Sequence, residues 1–391
     1  MRVAIVTHRL LRTDGQGKIN YELALRLAER GQTVELVSSE LDGPLKGAAN
    51  TSWHAVPLPG WLPTQLLRNQ WFAFGSRRRL RAMRKVGKRP DLIVVNGGIT
   101  YHRADVNIAM FVHSYWKTVE LPEDGAGRGV GSWVQQVYHR FYAWFNAVWE
   151  KRAFRRASAS VGLAGLVEDQ LRRCVGVPTK RVHVIEPGVD GEHFQALTEG
   201  EATPLREEMG VAAGERLGIF VGDLGSRRKN LELVLKAMTE VDGVRLAVVG
   251  GTTRSVYPGM AESMGLSERV RFLGRRSDVA ELVRQADVFC FPSRYDPWAL
   301  VVTEALASGV PVVVGPEVGA SAAVEDGVNG HLLAHAEDLE GMTAALRRVV
   351  EDGLSVERRR AVRASVMERT WDRMTDEYEA LFDRLLTGGG A

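Results

Sequence analysis

Two cysteines in 391 residues, Cys174 and Cys290, are too few and too far apart to frame a disulfide scaffold or a thiolate metal site. Both stand in apolar sequence, as buried free thiols of a reducing compartment would. No uninterrupted apolar run reaches the roughly 18 residues of a spanning helix. The opening MRVAIVTHRL passes directly into a strand-like pattern, without the apolar stretch of a signal peptide. HExxH, paired CxxC, a Walker lysine loop and GxSxG are all missing, which removes the common metal, redox, nucleotidase and hydrolase signatures. There is no internal repeat. Carboxylates are scarce in the first half: residues 1–190 carry 28 Lys and Arg against 16 Asp and Glu, a net +12, and the remainder carries −9. Such a split argues for different partners on the two halves.

What is present is a two-domain α/β pattern. At 391 residues the chain exceeds one core. VAIVT (3–7), TVELVS (33–38), DLIVVN (91–96), IAMFVH (108–113), SASVGL (158–163) and RVHVIEPGVD (181–190) read as strands, with His113 at the end of one of them. A helix follows the first strand, with Gly15 and Gly17 where it begins. Such a start allows close backbone approach and aims free N–H groups at an anion; a flexible turn without a ligand is the other reading. A helix is expected over 64–86, rich in arginine and flanked by tryptophans. It suits an anionic membrane surface, or equally a solvated face packed on its own sheet. After a glycine-rich turn at 125–131 comes an aromatic helix with Trp133, Tyr138, Phe141, Trp144, Phe145 and Trp149, closing on a basic cluster at 151–156. The polar stretch 191–209 reads as a linker. A second series of strands follows at 217–222, 244–250, 269–274, 286–291 and 311–315, then helices at 337–352 and about 357–386, with GGGA expected to fray.

The candidate chemistry gathers at strand ends, where open α/β sheets bind ligands. Arg228 and Lys229 open a helix after a strand, as a diphosphate site would want; a solvated helix start is the other reading, more so for Arg227 and Arg228. His113 is either a contact residue or a satisfied core histidine, and Asp190 either acts or caps a turn. Glu304 lies in a helix with Val301, Val302, Ala305 and Leu306. A carboxylate buried there without a partner would cost several kcal/mol, so a ligand hydroxyl or a cation is expected beside it.

The run from Pro292 to Val314, with Asp296 and Glu304 eight positions apart ahead of PVV, resembles the signature of the retaining glycosyltransferases of family 4. Gly15–Gly17, His113, PGVD at 187–190, Lys229, FLG at 272–274 and EDGVNG at 325–330 match in order. The resemblance implies a GT-B fold, α/β, with two Rossmann-like domains facing a central cleft. Residues 1–195 would be the acceptor-binding domain, 196–365 the nucleotide-sugar domain, and 366–391 a helix crossing back. It implies that Glu304 binds the ribose and that Asp296 with the amides of Trp298, Ala299 and Leu300 holds the sugar and β-phosphate. Lys229 would neutralise the diphosphate, Gly17 approach it, His113 contact the sugar, and Gly274 border the base. No metal and no cofactor are expected, the nucleotide diphosphate sugar being a co-substrate.

One position departs from the pattern. Asp223 stands where the family carries an arginine, and Arg228, or less suitably Arg227, is expected to compensate. The expected activity is transfer of a hexose from a UDP- or GDP-sugar to a hydroxyl of a glycan or lipid-linked acceptor in cell-envelope synthesis. The expected location is cytoplasmic, peripheral on the inner face of the membrane. A same-fold epimerase and a non-catalytic sugar-nucleotide or glycan binder are the rivals; nucleic-acid binding lacks any supporting motif.

Overall fold

The computed structural model describes residues 1–119, 130–253 and 255–388, without the side chains of 130–136 and 139. Most of the glycine-rich turn expected at 125–131, the side chain of Trp133 and the end of the GGGA tail lie outside the described residues. The chain forms two compact units, Met1–Gly188 with Trp371–Ala391, and Val189–Thr370.

The first unit is built on a seven-stranded parallel sheet: β1 (Arg2–Val6), β2 (Thr33–Ser38), β3 (Thr51–Ala55), β4 (Leu92–Asn96), β5 (Val106–Ala109), β6 (Ala159–Gly162) and β7 (Val182–Val184). Their order is β3-β2-β1-β4-β5-β6-β7. Val3 to Val6 are fully buried, as a strand covered on both faces requires. Helix α1 (Gly15–Glu29) follows β1 after the segment 7–14, in which Arg9–Leu10 pairs with Glu40–Leu41. Helix α2 (Gln65–Lys85) is capped by Thr64, whose hydroxyl accepts from the Leu67 amide at 3.3 Å. It buries Phe72, Ala73, Ser76, Leu80 and Met83, so the bland alternative holds for that face. Leu67, Trp71 and Phe74 remain exposed.

The sheet corrects one expectation about His113. Strand β5 ends at Ala109, and His113 is not its last residue but the first of a short helix, α3 (His113–Trp116). The reason is a long-range contact: two amides at the helix start are captured by a carboxylate on α4 (Val130–Arg156), described below. Cys174 is half-exposed rather than buried, whereas Cys290 is sealed in the second unit, where burial pushes its thiol up to about 12.

The second unit repeats the layout with β8 (Arg216–Val221), β9 (Val244–Val249), β10 (Val270–Gly274), β11 (Val288–Phe291), β12 (Val312–Val314) and a further short strand β13 (Gly330–Leu332). These are parallel in the order β10-β9-β8-β11-β12-β13. Helices α5 (Leu231–Thr239), α6 (Leu300–Ala307) and α7 (Leu339–Asp352) connect and cover them. The stretch expected as a linker at 191–209 is instead part of this unit. Arg363 donates to the Gly191 carbonyl at 2.6 Å, and the Leu205 amide donates to Gln285 at 2.8 Å.

The single helix expected over 357–386 is broken. One segment, Val356–Ala364, stays with the second unit, and α8 (Trp371–Leu386) belongs to the first. Helix α8 buries Trp371, Met374, Tyr378, Leu381 and Phe382, a stripe at helical spacing. Arg30 at the end of α1 bonds Asp372 at 3.1 Å, Asp376 at 2.5 Å and Glu379 at 2.8 Å along its length. Both Rossmann-like domains and the returning C-terminal helix implied by the resemblance are therefore present.

Arg30→Ala removes the ionic clasp and leaves the apolar stripe. Amide hydrogen exchange across Trp371–Leu386 is expected to accelerate, with α5 unchanged as the internal reference. Equal protection in both proteins would show that the stripe alone docks the helix.

Candidate active site

In the second unit the chain leaves β8 at Val221, turns through a short 3-10 segment at Arg227–Lys229, and enters α5. Between turn and helix, Asn230 takes a left-handed conformation at φ 58°. That turn points Lys229 inward, with only 8% of the residue exposed. Its ammonium bonds the Asp296 carboxylate and lies 4.7 Å from the centre of the Phe291 ring. Arg228 flanks the same carboxylate at 3.8 Å and donates to the Tyr295 carbonyl at 3.1 Å. Burial pushes the Lys229 ammonium below its ordinary value, against the pull of Asp296. Burial alone would raise Asp296, but the charges of Lys229 and Arg228 outweigh it and hold the carboxyl below the usual range.

A buried network fixes this arrangement. Arg294, 4% exposed, donates to Glu232 at 2.7 Å, to Glu337 at 2.5 Å and to the Arg227 carbonyl at 2.5 Å. The Arg294 amide and the Ser293 hydroxyl both donate to the Arg228 carbonyl, at 2.9 and 3.1 Å. Arg227 is itself taken up by Glu232 at 2.8 Å. Of the two adjacent arginines, only Arg228 faces Asp296.

The Asp296 backbone is held by the Glu317 carbonyl at 3.0 Å and by the Gly319 amide at 2.8 Å. One Asp296 carboxylate oxygen accepts from the Trp298 amide at 3.2 Å, so this amide is already engaged. Ala299 adopts φ 69°, a left-handed conformation that costs a non-glycine residue on the order of 1 kcal/mol or more, and it sets the entry into α6. The Leu300 and Val301 amides at the start of α6 have no intrahelical acceptor and present partial positive charge, whereas that of Val302 donates to the Ala299 carbonyl at 3.0 Å. Glu304 is half-buried on α6, not sealed in the core, so the expected cost of an isolated buried carboxylate does not arise. Asp223 is exposed and accepts from the Gly225 amide at 3.0 Å. Gly274 closes β10 at φ 69°, its carbonyl accepting from the Gly250 amide at 2.9 Å.

The first unit carries a separate polar cavity of about 530 Å³ at the carboxyl ends of β1, β4 and β5. Gly17 and His113 line it, and Gly15 does not. A Cβ on Gly17 would stand 3.0 Å from the backbone N and O of Leu11, whereas one on Gly15 would meet nothing within 4 Å. Gly17 is thus required by its own loop. Glu150, 2% exposed, accepts the His113 amide at 2.7 Å and the Ser114 amide at 2.8 Å, one on each carboxylate oxygen. Burial raises the Glu150 carboxyl, opposed by those donors. The imidazole of His113 is lowered by burial to about 4, and His8, also lining the cavity, is lowered to about 4 by burial and by Arg9. Two buried polar atoms of lining residues, Asn96 Oδ1 and Asn146 Nδ2, have no protein partner. They offer an acceptor and a donor to a bound hydroxyl.

The structure thus brings Arg228, Lys229, Asp296 and the start of α6 together in one unit, and Gly17 with His113 in the other. Asp190 serves as a turn cap, accepting from the Glu192 and His193 amides at 3.1 and 2.9 Å. Sequence reasoning missed Glu150 and Arg294. Glu150 carried a signal, being the one carboxylate in the 27-residue helix α4. Arg294 carried none, because its partners Glu232 and Glu337 come from distant segments.

The comparisons with known proteins agree with this division. The profile of Glycosyltransferase Family 4 matches residues 13–193, and that of Glycosyl transferases group 1 matches residues 202–366. The chain is related to these glycosyltransferases and has their GT-B fold. A D-inositol 3-phosphate glycosyltransferase of Mycobacterium marinum (strain ATCC BAA-535 / M) is 30% identical over 217 residues, which is 53% of this chain and 46% of that protein. Its namesake from Mycobacterium tuberculosis (strain ATCC 25177 / H37Ra) is 34% identical over 178 residues, 43% of this chain and 36% of the relative. The matches span less than half the length of these relatives. Among solved structures, sucrose-phosphate synthase from Thermosynechococcus elongatus superposes with a TM-score of 0.79 at 19% identity, over 99% of this chain and 100% of that one. WaaG, a glycosyltransferase involved in lipopolysaccharide biosynthesis, gives 0.77 at 18% identity, over 97% and 99%. Anabaena HepE in complex with UDP-glucose gives 0.70 at 19% identity, over 97% and 99%.

Two predictions follow from the first unit of this GT-B chain. Glu150→Ala strips two buried amides of a charged acceptor and is expected to destabilise the protein by about 3 kcal/mol, with Glu150→Gln losing less; denaturant unfolding of both variants reads this. The second concerns pH. Above pH 6.5 His8 and His113 are neutral whether the chain is folded or not. As pH falls from 6.5 toward 4 the unfolded chain takes up protons that the folded chain refuses. Stability present above pH 6.5 is therefore lost on the way to pH 4, and His113→Asn is expected to show a shallower fall in unfolding midpoint between pH 7 and 5.

Proposed function

We propose that the protein is a retaining, metal-independent glycosyltransferase that moves a hexose from a UDP- or GDP-sugar to a hydroxyl of a glycan or lipid-linked acceptor in cell-envelope synthesis. The observation that carries this reading is the buried Lys229–Asp296 pair, flanked by Arg228, at the strand ends beside the start of α6. Lys229 and Arg228 neutralise the leaving diphosphate, so the developing charge is met by side-chain cations and helix amides. Glu304 binds the ribose, Gly274 borders the base, and Asp296 with the Ala299 and Leu300 amides orients the transferred sugar. Gly17 and His113 act from the first unit, which takes the acceptor. His113, neutral at physiological pH, contributes hydrogen bonding rather than charge. In a retaining transfer of this type the departing phosphate oxygen takes the acceptor proton on the face it leaves, and the protein contributes position and electrostatics.

The relatives support the substrate classes. HepE holds UDP-glucose, WaaG takes part in lipopolysaccharide biosynthesis, and the mycobacterial relatives transfer to an inositol phosphate. We also propose a cytoplasmic, membrane-peripheral location. Among the described residues no helix is long and apolar enough to cross a membrane. Helix α2 carries seven Arg and Lys and no carboxylate, and Leu67, Trp71 and Phe74 on it are exposed, a composition that suits an anionic bilayer surface. A second reading, a non-catalytic sugar-nucleotide binder, is favoured by one observation, the exposed carboxylate of Asp223 at the end of β8.

Incubation with a panel of UDP- and GDP-sugars separates the two readings, since release of nucleoside diphosphate requires turnover and binding alone does not. In calorimetric titration of the matching diphosphate, Arg228→Ala is expected to weaken affinity about tenfold, the loss of one charge-assisted phosphate contact. Unchanged affinity would remove Arg228 from the donor site.

A further inference from the structure

The sheet of the first unit leaves a second cavity, of about 690 Å³, over β4 and β5 between α2 and α4. Its floor and walls are apolar, from Val95, Ala104 and Ala153 to the rings of Phe145 and Trp149. Tyr101 stacks on Trp149 with ring centres 5.3 Å apart. Around it stand four arginines, Arg77, Arg103, Arg152 and Arg156, and among the described residues no carboxylate lines it. Arg77, Arg152 and Arg156 have no ion pair among the described residues. Arg103 has the Asp105 carboxylate near it; the other three guanidinium groups, without a counter-charge among the described residues, favour an anion.

The outer edge of the cavity runs into an exposed apolar stripe on α4. Val137, Phe141, Trp144 and Val148 recur at intervals of four, three and four residues and are 48, 49, 54 and 51% exposed. A helix in water normally turns such a stripe inward. The cavity shares one lining residue, Gly97, with the polar one.

We propose that this second cavity seats the lipid-phosphate end of the acceptor, an anionic amphiphile. Its alkyl chain lies along Phe145, Trp149 and Trp144. Its phosphate is held by Arg77, Arg152 and Arg156, and its hydroxyl-bearing end passes Gly97 into the polar cavity beside His113. Apolar walls favour an alkyl chain by roughly 25 cal/mol for each Å² removed from water, a gain that a hydrated glycan does not match. Arginine forks suit phosphate oxygens. The proposal rests on the glycosyltransferase reading for the hydroxyl-bearing end, and it names the acceptor class that reading leaves open.

The test is a titration of the full chain with dodecyl phosphate below its micellar concentration, followed by tryptophan emission. Inorganic phosphate and uncharged dodecyl maltoside serve as the two halves of the ligand. Saturable binding is expected for dodecyl phosphate alone, weakened about tenfold or more by Arg152→Glu with Arg156→Glu. Trp144→Ala, a surface substitution, is expected to weaken it as well, read by equilibrium dialysis, and thermal unfolding of each variant checks the fold. The proposal is overturned if the charge-reversed protein binds as tightly, if dodecyl maltoside saturates the same site, or if inorganic phosphate binds there unaided. The titration needs no sugar donor. Absence of turnover with every sugar nucleotide would remove the transferase reading while saturable binding kept the cavity's ligand. Turnover without that binding would remove the lipid-phosphate seat alone.

Discussion

A lysine buried against an aspartate is the constraint on which the second unit depends. Neither charge is tolerable there alone, because removing one partner of a buried pair costs about 3–5 kcal/mol. Lys229 follows β8 and Asp296 follows β11, and these strands are neighbours in the sheet. The pair therefore ties two strand ends at the place where a ligand of an open α/β sheet binds. The Arg294 cluster braces the turn that carries Lys229, since Glu232 and Glu337 anchor a guanidinium that bonds the Arg227 carbonyl while the Arg294 amide bonds that of Arg228.

The first unit solves a different problem with similar means. A carboxylate on α4 receives two backbone amides and so decides where α3 begins and how His113 enters the polar cavity. Because Glu150 belongs to the helix whose other side carries Phe141, Trp144 and Val148, the aromatic surface and the polar cavity share one rigid element. The basic, carboxylate-poor character of α2 and the exposed stripe of α4 are one electrostatic and apolar surface, not two independent oddities of composition.

Most of the architecture was legible because parallel strands buried on both faces write themselves as apolar runs. VAIVT, DLIVVN, LGIFVG and PVVVG announce the sheets, and the fixed order of the family pieces announces the two-domain fold. The errors fall where polar contacts override periodicity. IAMFVH reads as strand to its end, but Glu150 draws His113 into a helix. The stretch 357–386 reads as one helix, but the chain changes unit between Ala364 and Trp371. The segment 191–209 reads as a linker, but Arg363 and Gln285 bind it to the second unit.

By itself the sequence determined most of the strands, though not Thr51–Ala55 or Gly330–Leu332, the charge split between the halves, and Lys229, Asp296 and Glu304 as candidates, since these are properties of residue type and local spacing. Only the tertiary structure decided which arginine faces Asp296, that Glu304 is half-buried, that Glu150 holds His113, and that two cavities share Gly97 as a lining residue. The physical reason is that hydrogen bonds and ion pairs join residues far apart in the chain, and burial depends on every neighbour at once. A pattern along the chain carries no record of either.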